Sequence, residues 1–159
     1  MNLFFYDDDN KLTTEIKEHM QSACVLALDK EFETPIDKTL LDSIEVGVSI
    51  VSSDEIRSLN KEYREIDKET DVLSFPQFED VNQLIDNLDD EIETLLGDVV
   101  ICYEVAEKQA EEYGTGIKRE LVYLFVHSIF HLLGYDHMND EEKKVMRAKE
   151  DAVMEEIGL

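Results

Sequence analysis

HSIFHLLGYDH, residues 127–137, holds three of the four histidines in the chain, with Gly134 between the second and the third. His127 and His131 are four residues apart, so on a helix they project from one face, one turn above the other, and two imidazoles so placed can share one ion. A helix alone cannot bring His137 to the same point. Gly134 can adopt the left-handed conformation that ends a helix and turns the chain back, and this delivers the third nitrogen. Neutral imidazole suits zinc, copper, nickel or iron, and three protein ligands leave a fourth position open for water, as in catalytic zinc sites. The alternative is a pair of hydrogen-bonded core histidines, because Leu121 to Leu133 is apolar nearly all round, interrupted by Tyr123 and Ser128 besides the histidines. Two histidines at helical spacing with a third beyond a glycine turn favour metal, at the end of a buried central helix.

Around that helix the chain reads as α+β. Leu3 to Tyr6 suits a short strand, and Leu12 to Leu28 carries apolar residues at near-helical spacing. Ile44, Val46, Val48 and Ile50 alternate with smaller or polar residues, the period of a strand with one buried face. Ser53, followed by Asp54, reads as the cap of a helix running to about Glu65. Val72 to Phe75 is a short strand stopped by Pro76. Glu79 to Glu93, with seven acidic residues and no basic one, reads as an acidic surface loop with a helical turn; it lacks the ligand and glycine pattern of a calcium loop. Leu96 to Cys102 is a central strand, Glu104 to Tyr113 a helix ended by Gly114, and Asn139 caps a last helix with Val145, Met146, Val153 and Ile157 on its buried stripe. The expectation is one domain over residues 1–159, a mixed sheet of about four strands packed with about five helices, with strand order open.

Composition narrows the partners. The formal charge is −24, from 39 acidic against 15 basic side chains, so the bulk surface repels polyanions and any RNA-directed role requires a local basic patch. Arg57, Lys61, Arg64 and Lys68 form one sequence cluster, and Lys118 with Arg119 another; a solvated helix face is the alternative for most of them. No apolar run approaches a membrane span, and MNLFFYDDDN is unlike a signal peptide. Cys24 and Cys102 form no CxxC pair and read as reduced thiols, so the expected location is the cytoplasm. His19 stands apart from the other histidines and reads as a surface residue.

Three blocks together resemble the YbeY family of metal-dependent endoribonucleases: LNKEYREIDKETDVLSFP from Leu59 to Pro76, LGDVVIC from Leu96 to Cys102, and HSIFHLLGYDH. The resemblance covers roughly residues 44–150. It implies one zinc ion per chain held by His127, His131 and His137, a catalytic Arg64, and cleavage of single-stranded RNA. It further implies a role in maturing the 3′ end of 16S ribosomal RNA and in ribosome quality control, with the small ribosomal subunit and possible ribosomal or GTPase proteins as partners, and neither DNA nor membrane. Residue chemistry alone favours a surface salt bridge for Arg64, and the motif match reverses that reading. Asn60, Tyr63, Asp67, Thr70 and Asp71 read as scaffolding, and Asp136 either orients a ligand histidine or forms a turn. Ser128 and Phe130 depart from the glycine and leucine common in the family, and Ser128 is expected to set a hydroxyl beside the first histidine. No general base is evident. Two rival readings are a non-catalytic ribosome-assembly factor with a structural metal and a metallopeptidase; the second conflicts with Ser128, which stands where HExxH has its glutamate.

Overall fold

The computed structural model describes residues 1–159. Strand β1 (Asn2–Tyr6) leads into α1 (Thr14–Glu31), whose cap is the Thr13 hydroxyl accepting from the Ile16 N–H. A short α2 (Lys38–Asp42) precedes β2 (Ile44–Val51) and α3 (Ser53–Arg64). The cap of α3 is Ser52, one residue earlier than expected, because its extended backbone aims the hydroxyl at the Glu55 N–H. Then come β3 (Val72–Pro76), α4 (Val81–Asn87), β4 (Thr94–Cys102), α5 (Tyr103–Tyr113), α6 (Ile117–Leu132) and α7 (Asp140–Glu156). The five longer helices are those the periodicity suggests. The short α2 and α4 join them, α4 being the helical turn inside the acidic stretch.

The sheet order is β1-β2-β4-β3, with β1, β2 and β4 parallel and β3 antiparallel to β4. This is the mixed α+β arrangement expected from the sequence. The central β4 is buried on both faces, Val99 and Ile101 packing into the main core and Val100 and Cys102 into a smaller cluster on the other side. Helix α6 lies against α1, α5, α7, β3 and β4. Its apolar sides vanish into the core through Leu121, Phe125, Ile129 and Phe130, while one stripe remains open. Cys24 and Cys102 are both buried, and burial pushes the Cys24 thiol up to about 12, so it is no ligand candidate. No helix is long and apolar enough to cross a membrane.

Candidate metal centre

Helix α6 ends in a turn that builds the site. The Gly134 N–H donates to the His131 carbonyl at 3.1 Å and the Tyr135 N–H to the Phe130 carbonyl at 3.0 Å, the paired bonds of a Schellman cap. Gly134 supplies the left-handed residue, with φ of 97°. The Phe130 and Tyr135 rings, 5.8 Å apart and edge to face, form the hydrophobic contact that accompanies this motif. The turn then aims the Tyr135 carbonyl at His131 Nδ1, 2.9 Å away, and brings His137 back over the helix end.

Ligand-capable nitrogens of His127, His131 and His137 lie within 4.8 Å of one another. His127 Nδ1 faces the Glu150 carboxylate at 2.8 Å, and Nε2 of His127 and Nε2 of His131 approach to 3.2 Å. With both Nδ1 hydrogens donated outward, two Nε2 lone pairs point at each other. That approach is favourable with a cation between them, either a shared proton or a metal ion. The donor chemistry therefore fits a divalent ion, and burial with the neighbouring His127 imidazole holds His131 down to about 4, leaving its ring neutral and its lone pair available near pH 7.

Glu150, on α7 and 2% exposed, is the functional neighbour that sequence reading missed. Its carboxylate accepts from His127 and, at 3.3 Å, from the Tyr123 hydroxyl, which in turn accepts from Arg147 at 2.9 Å. Burial and the adjacent Glu150 carboxylate push Tyr123 up to about 12, so it stays a donor. The available signal was position: Glu150 stands four residues after Met146 and three before Val153, on the buried stripe of α7. Outer partners of ligand histidines fix ring orientation and basicity, so Glu150→Leu should lower zinc affinity by roughly 10- to 100-fold in a competitive chelator titration. Glu150→Gln, which still accepts from Nδ1, should recover part of it. Equal affinity in all three proteins would remove Glu150 from this role.

Asp136 takes the turn reading, its carboxylate accepting from the His137 N–H at 2.8 Å. The Ser128 expectation is corrected: its hydroxyl is fully buried and meets the Ser74 hydroxyl of β3 at 2.6 Å. One residue is about 100° around a helix, which carries Ser128 away from the cleft that His127 faces. His19, half-buried, meets the Glu15 carbonyl and lies outside the cluster.

Arg64 is the last residue of α3, exposed, and lines one groove together with His131 and His137. It takes part in none of the ion pairs, whereas Arg57 is committed to Asp67 at 2.9 Å and Lys118 to Glu15 at 2.9 Å. Asn60 donates to the Lys68 carbonyl, and the Tyr63 ring packs on Phe75 at 5.2 Å; both fasten the end of α3 to the loop and strand beside it. On the other side of the histidines, Lys143, Lys144 and Arg147 of α7 line a second groove with His127 and His137. Exposed cations thus stand on both flanks of the triad in a chain whose net charge is −24.

Fold and cleft define an α+β protein with an open three-imidazole cluster able to hold a metal ion. The profile of the endoribonuclease YbeY family matches residues 4–158, and the chain belongs to that family. It is 46% identical over 154 residues to the endoribonuclease YbeY of Caldanaerobacter subterraneus, covering 95% of this chain and 96% of the relative. The protein of the same description from Caldicellulosiruptor bescii is 37% identical over 163 residues, covering 100% of this chain and 99% of the other. Among solved structures, the solution structure of TM1509 from Thermotoga maritima superposes with a TM-score of 0.62 at 28% identity, over 98% of this chain and 89% of that one.

Proposed function

We propose that the chain is a single-domain, metal-dependent endoribonuclease that cuts single-stranded RNA at the cleft of His127, His131 and His137. The observation that carries this reading is the converging imidazole triad flanked on both sides by exposed cations. A zinc ion bound by the three histidines would supply Lewis acidity toward a phosphate oxygen and lower the pKa of a bound water.

The residues of the chain do the rest. Lys143, Lys144 and Arg147 attract and seat the RNA backbone, giving a largely acidic protein one surface to which a polyanion can bind. Arg64 offers a permanently charged planar donor across the groove, suited to oxygens on which charge develops during cleavage. Glu150 and the Tyr135 carbonyl hold two imidazoles in one tautomer and orientation. At residue 128 a metallopeptidase would present a carboxylate to the cleft; here a serine faces the sheet. We further propose, as the family resemblance implies, that the substrate is the 3′ end of 16S ribosomal RNA and that the protein acts in ribosome quality control, in the cytoplasm, with the small subunit and ribosomal or GTPase proteins as partners.

The test incubates zinc-loaded protein with single-stranded RNA and, separately, with casein. RNA should be cut and casein left intact. Arg64→Ala should lower kcat by about 10²- to 10³-fold, in the range for removal of one donor to a developing charge, with the urea midpoint unchanged. A parent protein that binds zinc yet cuts no RNA would favour the assembly-factor role.

A further inference from the structure

We infer that the cavity between α5 and α6, next to the histidine cleft, is a subsite for a guanine base of the bound RNA. The cavity, about 520 Å³, is walled by Asp71, Gln109, Tyr113, Arg119 and Glu120, and it reaches His127. Glu120 is the decisive group. It lies seven residues before His127 on α6, hence on the same face and roughly 10 Å further down the axis. That is too far for a shared metal, whose paired ions sit about 4 Å apart, but suitable for an adjoining nucleotide.

Glu120 is 4% exposed, and no protein donor reaches its carboxylate. Burial and the nearby Asp71 carboxylate push its pKa up, against the opposing charge of Arg119. The Thr115 hydroxyl oxygen, on the same cavity wall, is also buried without a hydrogen bond. Buried polar groups are nearly always satisfied, so one buried hydroxyl without a partner, beside a carboxylate on an almost buried residue that no side chain bonds, points to a missing ligand.

The polar inventory selects that ligand. A carboxylate only accepts, and here Glu120 carries the free acceptors, since the Asp71 carboxylate already accepts from the Val72 N–H at 2.7 Å and from the Gln109 amide at 3.2 Å. Guanine alone among the four RNA bases presents adjacent N–H donors, N1–H and the 2-amino group, on its pairing edge. Uracil has one N–H between two acceptors, and adenine and cytosine set an amino group beside an acceptor. Arg119, whose Nε donates to the Leu159 carbonyl at 3.0 Å, keeps its terminal nitrogens for the guanine O6. Tyr113, 65% exposed at the cavity mouth, offers a face on which an unstacked base can rest, the usual way single-stranded RNA is read.

The inference deepens the RNA-cleavage reading, but its test does not depend on cleavage. The full ¹⁵N-labelled chain is titrated with GMP, IMP and UMP, which share a phosphate and differ in the base; IMP lacks the 2-amino group. GMP should bind roughly tenfold more tightly than IMP or UMP and shift the amides of Asp71, Gln109 and Glu120. Glu120→Ala should reduce the GMP-to-IMP ratio to below about twofold, and Glu120→Gln, which keeps the volume, should do the same if the alanine form fails to fold. Equal binding of the three nucleotides overturns the inference, as does a response confined to α7. Mn²⁺ broadening of the Glu120 amide without a GMP effect would make the cavity a cation site and overturn it too. If GMP is preferred while no RNA is cut, the subsite stands and the nuclease reading falls.

Discussion

His131→Ala should abolish tight zinc binding and lower RNA cleavage by at least about 10³-fold, because two imidazoles cannot keep the ion in place against water and chelators. His131 is the central member of the triad, its Nε2 lying 3.2 Å from that of His127 and its Nδ1 fixed by the Tyr135 carbonyl. The metal-free protein carries an independent signature of the same residue. An unfolded imidazole takes up its proton near pH 6.5, whereas the folded one, held down by burial and by His127, does so only near 4. Between those values the unfolded chain binds the extra proton, so the contribution of His131 to stability is whole above about pH 6.5 and is lost as the pH falls toward 4. Urea midpoints measured in chelator across that window should therefore fall for the parent and fall less for His131→Ala. Retained cleavage in the zinc-treated variant would place the active centre elsewhere.

That prediction draws on features legible in eleven residues, since helix period and one glycine are local rules. Gly134 had to end a helix, and it does so through a cap whose carbonyl also orients His131. What escaped reading was non-local. Glu150 lies 23 residues from His127, and only the packing of α7 on α6 brings the two together. Its place on a buried stripe was the clue, outweighed by the many acids around it. Lys143, Lys144 and Arg147 escaped for the same reason: they are far in sequence from Arg64, and only the fold sets both groups beside the histidines. Strand order was unreadable because parallel pairing joins β2 to β4 across more than 40 residues, with no turn to announce it. Ser128 shows the opposite error, sequence adjacency taken for spatial adjacency on a helix that turns about 100° per residue.

The charge distribution follows from the same separation of levels. A net charge of −24 argues against nucleic acid as a bulk property, yet recognition depends on the local field. Arg57 and Lys118, prominent in the sequence, are held in ion pairs. Arg64, Lys143 and Lys144 are free of such pairs and border the cleft. The acidic remainder would then repel RNA from every other face and leave one productive orientation.

Gly134→Ala is the second change expected to have a large effect, and Gly114→Ala is its control. Both glycines follow a helix with positive φ, 97° at Gly134 and 64° at Gly114, so each alanine incurs the left-handed strain. The surroundings differ. A Cβ at Gly114 meets nothing within 4 Å, whereas at Gly134 it would lie 2.6 Å from the Glu79 carbonyl oxygen and 2.9 Å from the Asp80 Cα. Those are backbone atoms and cannot rotate aside, so either the chain before α4 moves or the turn after α6 does. Gly114→Ala should cost about 1–2 kcal/mol. Gly134→Ala adds overpacking of the order of 1–3 kcal/mol and should total roughly 2–5 kcal/mol by urea unfolding, a large share of the stability of a small domain. The displaced turn carries His137 and the Tyr135 carbonyl, so zinc affinity should fall with stability in Gly134→Ala and stay at the parent value in Gly114→Ala. If both variants lose stability equally and bind zinc alike, the close approach at Gly134 is not what holds the third histidine over the helix end.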